Sequence, residues 1–99
     1  MDAATLWRRA AELLMRGGRL AFCWPPARLA EALCGLEAAG LPAKRLRLVH
    51  GRQGKPARLA LIEAVKQNGA HLEVEPPLLV YGQGQTYTAE VRALYDSLA

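Results

Sequence analysis

Arg19-Leu-Ala-Phe-Cys-Trp24, set between Gly17-Gly18 and Pro25-Pro26, is the stretch on which the fold turns. It is almost continuously apolar, too short for a buried helix and the usual length of a strand. A run without polar alternation predicts a strand covered on both faces, as in a parallel sheet. Upstream, Ala3 to Met15 has helical spacing, with Leu6, Ala10, Leu13 and Leu14 on one face and Arg8, Arg9, Glu12 and Arg16 largely elsewhere. Gly17-Gly18 ends that helix, because glycine takes the left-handed conformation of a helix C-terminus cheaply. Downstream, Pro26 suits the first turn of a second helix, where it has no needed amide proton to lose. That helix carries Leu29, Leu33 and Leu36 on one stripe and stops at Gly40.

Beyond Pro42, Lys44 to His50 alternates Leu46 and Leu48 with Arg45 and Arg47, which reads as a strand near the sheet margin. Gly51-Arg-Gln-Gly-Lys-Pro56 is a turn or short loop, and Arg58 to Val65 a further strand. The first two strands are joined through a helix and should be parallel; the third returns antiparallel through a hairpin. Asn68-Gly69 marks a turn. Leu72 to Tyr81 is extended but broken by Pro76-Pro77, so it can hold only an edge or lie outside the sheet. Thr88 caps a last helix with Val91, Leu94, Tyr95 and Leu98 on one face. Residues 1–99 read as one α/β domain without repeats or linkers.

Composition narrows the function classes. Apolar residues make up 52% and charged residues 22%, which excludes a disordered chain. No apolar run is long enough to span a bilayer, and the arginines near the N-terminus interrupt any secretory signal. No membrane partner is expected. Cys23 and Cys34 lack metal or redox spacing and read as reduced core residues of a cytoplasmic protein. His50 and His71 have no neighbouring ligands at metal spacing, and His50 reads as a hydrogen-bonding residue at a strand end. Gly51-x-x-Gly54-Lys55-Pro56 has the wrong spacing for a phosphate loop, and Gly82-Gln-Gly84 is a turn. Glu73 and Glu75 share a strand face as an exposed pair, and no catalytic dyad is read there. The net charge of +4 is placed unevenly. Six of the thirteen basic residues (Lys44, Arg45, Arg47, Arg52, Lys55 and Arg58) fall between Ala43 and Arg58, with no acid among them. Such a run either solvates a strand face and loop or meets phosphates.

The order of elements carries more information than any lone motif. Ala10-Ala-Glu-Leu-Leu-Met-Arg-Gly-Gly-Arg-Leu-Ala21 resembles the helix leading to the fifth strand of class I methyltransferases. Arg45-Leu-Arg-Leu-Val-His50, Lys55-Pro-Ala-Arg-Leu-Ala-Leu-Ile-Glu-Ala64, Pro77-Leu-Leu-Val-Tyr81 and Tyr87-Thr-Ala-Glu-Val91 follow in order. Together they resemble the bacterial valine-tRNA (adenine-N(6))-methyltransferases over about residues 4 to 95. The resemblance implies the C-terminal half of a Rossmann-like sheet: helix, strand, helix, strand and antiparallel return strand, then an extended segment and a helix. It implies S-adenosylmethionine as cofactor of a complete enzyme and tRNA adenine as substrate. The family's glycine-rich first strand, ribose-binding acid and Asn-Pro-Pro-Tyr motif have no counterpart here. No cofactor-binding or catalytic residue can therefore be carried over, and the isolated chain is expected to bind no cofactor. In that sheet order the return strand lies between the other two. Arg19–Trp24 is then an edge, and either a complementary N-terminal half or a second copy is the expected partner.

Ligands of open α/β sheets sit beyond the carboxyl ends of parallel strands. Trp24-Pro25-Pro26 and His50 to Ala57 leave their strands at that rim. Trp24 can stack a base or pack in a core or interface, while Arg28, Arg52, Lys55 and Arg58 can meet the phosphates of tRNA or another structured RNA. Three readings follow: a methyltransferase half, a stand-alone RNA-binding or assembly module descended from it, and an inactive remnant. An adjoining reading frame encoding the glycine-rich and Asn-Pro-Pro-Tyr segments would favour the first.

Overall fold

The computed structural model describes residues 2–66, 71–82 and 86–98. Helix α1 spans Ala3–Leu13 and is capped by Asp2, whose Oδ1 accepts the Thr5 amide hydrogen at 2.8 Å. One of the orphan donors of the first turn is thereby satisfied. Gly17, with φ at +83°, turns the chain towards the sheet. The helix buries Trp7 and Ala11, with Ala3, Ala10 and Leu14 against the core. Leu6 and Leu13, expected on that face, are 51% and 86% exposed. The indole is the reason: it carries the largest apolar area on α1, and turning it inward rotates the leucine pair out.

Strand β1 is Arg19–Trp24. A 3-10 turn at Pro26–Arg28 leads into α2, Leu29–Ala38, which ends before Gly40 at φ +78°. β2 (Ala43–His50), β3 (Ala57–Val65), β4 (Glu73–Val74), β5 (Leu78–Leu79) and α3 (Ala89–Leu98) complete the order. The sheet runs β1-β3-β2-β4, with β5 also on β2. β3 is antiparallel to both β1 and β2, so these two are parallel, as the helical connection requires. β4 and β5 pair parallel to β2 on either side of Pro76-Pro77, the edge position proline permits.

Register sorts the sheet into two faces. Phe22, Ile62 and Leu46 form one row and Trp24, Ala60 and Leu48 the next. These rows meet α1 and α2 in the core, with Trp7, Ala32, Leu36 and Leu41. Trp7 lies so close over Gly35 that a Cβ there would stand 2.2 Å from its Cζ3. The opposite face carries Cys23, Leu61 and Arg47 in one row and Ala21, Glu63 and Arg45 in another. Both helices adjoining β1 in sequence pack on the same side, so among the described residues β1 is covered on one face. Ala21 and Cys23 are exposed, which corrects the expectation of a doubly covered strand. Cys23 and Cys34 are free thiols, as expected, but both are exposed and neither belongs to the core. No helix among the described residues is long and apolar enough to cross a membrane.

Candidate nucleic-acid interface

The rim is built from the β2–β3 hairpin and the segment laid against it. Gly54, at φ +83°, lets the hairpin turn tightly, and the Lys55 amide donates to the Arg52 carbonyl at 3.2 Å. Nδ1 of His50 lies 2.7 Å from the Lys55 carbonyl, so a proton on Nδ1 closes the loop base. The strand-end histidine is thus a hydrogen-bonder, as its sequence position suggests. Val80 and Tyr81 donate their amides to the carbonyls of His50 and Gly51, which stitches 80–82 to the hairpin. Arg52 completes this joint. Its guanidinium donates to the Gly82 carbonyl at 2.8 Å and lies 5.3 Å from the Tyr81 ring centroid. Tyr81 in turn stacks on Tyr87, with ring centroids 5.4 Å apart and planes at 14°. Thr88 Oγ1 donates to the Leu79 carbonyl at 2.5 Å and accepts the Val91 amide, confirming Thr88 as the cap of α3.

Arg52, Lys55, Arg58 and Tyr81 line one open concavity of about 410 Å³ beside this joint. Three of the expected site residues are therefore together. Trp24 and Arg28 form a separate cluster. The Trp24 Nε1–H donates to the Arg28 carbonyl, the Arg28 guanidinium lies 5.0 Å from the Trp24 ring centroid, and Trp7 and Phe22 crowd the same indole. Trp24 is partly buried and packs against the core in this cluster, one of the roles its sequence position offers. Arg28 is held by Glu31 at 2.7 Å; that hydrogen bond keeps Glu31 below the usual carboxylate range and raises the Arg28 pKa. Tyr81 and Tyr87 carry no signal of their own in the sequence beyond flanking Gly82-Gln-Gly84, whose expected turn lies outside the described residues; in the structure the two tyrosines pair as an antiparallel bridge.

Charge is sorted by the fold. Arg19 pairs with Glu63, Arg45 with Glu75 and Arg47 with Glu90. The basic run of the sequence is thus partly neutralised, whereas Lys55 and Arg58 have no carboxylate partner among the described residues. A second concavity of about 460 Å³ lies on the open sheet face, but the arginines lining it, Arg45 and Arg47, are those already paired.

None of the positive-φ glycines among the described residues lies in a strand-to-helix phosphate turn. Gly17 and Gly40 turn the chain at the amino ends of β1 and β2, away from the rim, and Gly54 closes a hairpin. Glu31, in the first turn of α2 beyond β1, is committed to Arg28.

The chain matches no protein-family model and no curated protein sequence. Its fold is similar to the crystal structure of a predicted O-methyltransferase from Agrobacterium tumefaciens, with a TM-score of 0.83 at 24% identity. The likeness covers 97% of this chain and 46% of that one, so the chain spans less than half of the neighbour's length. It supports the mixed, methyltransferase-like α/β sheet expected from the order of elements.

Proposed function

We propose that the chain forms the C-terminal half of an S-adenosylmethionine-dependent methyltransferase and that its rim holds the tRNA whose adenine accepts the methyl group. The observation that carries this reading is the strand order: parallel β1 and β2 with the antiparallel return strand β3 between them, matching under half of a methyltransferase fold. The choice of tRNA adenine rests on the sequence resemblance and on the cationic rim. On this reading the chain's residues bind and orient, and the chemistry belongs to residues outside it. Arg52 is held in place by Tyr81 and the Gly82 carbonyl, so it orders the loop that presents Lys55 and Arg58 to phosphates.

The test is an anisotropy titration of tRNA at several salt concentrations. Each phosphate contact adds close to one unit to the salt slope, so Lys55→Ala with Arg58→Ala should flatten it by about one to two units. Arg8→Ala with Arg9→Ala, on α1, is the control and should do less. Equal losses from both pairs would reduce the interaction to diffuse electrostatics and remove the rim from the reading.

A further inference from the structure

We infer that an unpaired nucleobase of the RNA held at the rim enters a further open concavity, lined by His50, Gln53, Lys55, Pro56, Pro77 and Leu79. It measures about 670 Å³, within the usual range of small-molecule sites. It is separate from the hollow beside Arg52 and Arg58, but Lys55 and Pro56 line both. An ammonium thus stands at the border between a cationic hollow and one whose walls are largely apolar. The lining residues come from the β2–β3 hairpin and from β5 with its preceding proline. These lie on the side of the sheet away from the β1 edge, with β3 between β1 and β2, a separation of roughly 10 Å at strand spacing. The hollow is therefore built without the β1 edge.

A base has an apolar face and a polar edge, and the hollow offers both. Pro56, Pro77 and Leu79 present apolar surface to a ring face, and the two prolines have little side-chain freedom to lose. Leu79 is the register partner of His50 in the β2–β5 pair, so an apolar and a polar residue stand side by side at the strand ends. The Lys55 carbonyl can only accept from His50 Nδ1, which in the neutral ring leaves Nε2 as an acceptor. The Gln53 carboxamide is exposed, makes no hydrogen bond among the described residues, and adds a donor and an acceptor. Pairing in a duplex would occupy the edge that these groups meet, so the base must be unpaired. No carboxylate lines either hollow, and a sugar–phosphate chain can cross from one to the other over Lys55 without repulsion. An acidic peptide backbone would meet the same cations but bring no ring to the apolar walls. The inference rests on the RNA reading of the rim and adds to it a dependence on bases as well as phosphates.

The experiment compares a labelled oligouridylate with an abasic oligoribonucleotide of the same length, by anisotropy at several salt concentrations. Both carry the same phosphates, so the difference between them reports the bases alone. The wild-type chain should bind the oligouridylate about tenfold more tightly, towards the lower end of the range for one stacked base. Gln53→Ala and Leu79→Ala should each cut this preference about threefold, the scale of one modest contact. Neither alters charge, so the salt slope should stay as it is, whereas Lys55→Ala should weaken both oligomers and flatten the slope. Equal affinity of the wild type for the two oligomers, or variants that keep the full preference, would overturn the base site while the salt slope still supports the rim. Polyglutamate of matched charge competing as well as oligouridylate would overturn it in favour of an acidic peptide. Binding of neither oligomer would remove the RNA reading itself and this inference with it. Circular dichroism follows folding; should Leu79→Ala unfold, Gln53→Ala at an exposed position and the wild-type comparison decide.

Discussion

Arg52 shows how one side chain changes meaning between sequence and fold. In sequence it is one more cation of a basic loop, whose removal should cost less than roughly 0.5 kcal/mol. In the structure it bonds to the carbonyl of Gly82, thirty positions further along the chain, and lies over Tyr81. Its replacement by Ala should therefore destabilise the domain by about 1 kcal/mol, the scale of one hydrogen bond and one partly exposed cation–π contact. Arg52→Lys should recover only part of this, because an ammonium lacks the planar fork. Chemical denaturation measures both. A loss confined to RNA binding, with stability unchanged, would return Arg52 to the group of simple phosphate contacts.

At the scale of elements, the contact between α1 and α2 rests on an absent side chain. Gly35 is a poor helix residue, and Ala would ordinarily improve α2 by up to about 1 kcal/mol. Here the new methyl would meet the rigid Trp7 ring, itself pinned between Gly35 and Trp24. Overpacking of this kind costs roughly 1–3 kcal/mol, so Gly35→Ala should be net destabilising, with lower thermal stability and altered tryptophan fluorescence. A stabilised variant would mean that α1 can move aside freely.

The start of α1 is pH-sensitive by a different mechanism. Hydrogen bonds from Thr5, its hydroxyl first and then its amide, hold the Asp2 carboxyl below its ordinary value. A folded-state pKa below the unfolded one gives stability that is present above the unfolded value and lost as pH falls through the folded one. The Thr5 amide resonance should therefore shift as acid is added below about pH 4, whereas Asp2→Asn keeps the cap and removes the titration. An unchanged titration in that variant would place the effect elsewhere.

For the whole molecule, the sequence reading expects no cofactor to bind the chain by itself. Calorimetry of the isolated chain at millimolar S-adenosylmethionine should show no saturable heat. One-site binding would mean that the chain holds a cofactor site of its own.

Local spacing and chain punctuation sufficed for much of this fold. Gly40 and Thr88 bound α2 and α3 where their backbone preferences dictate, and Pro26 opens the 3-10 turn before α2, whereas α1 stops at Leu13 with an extended Leu14, short of the Gly17 expected to end it. An intervening helix makes β1 and β2 parallel whatever the side chains do. The hairpin from β2 to β3 and the edge position of Pro76-Pro77 follow from equally local constraints. Tertiary structure alone decided which face of each element is buried, because burial depends on what lies opposite. Trp7 took the inward position on α1 because Gly35 and Trp24 leave room for a ring. Cys23 is exposed because α1 and α2 gather on one side of the sheet. The same holds for the rim. The basic run is continuous in sequence, but carboxylates arriving from the segment after β4 and from α3 pair with Arg45 and Arg47, while Lys55 and Arg58 have no carboxylate partner among the described residues. Ion pairing is a property of through-space distance, and these partners are at least 30 residues apart, beyond what local sequence can specify.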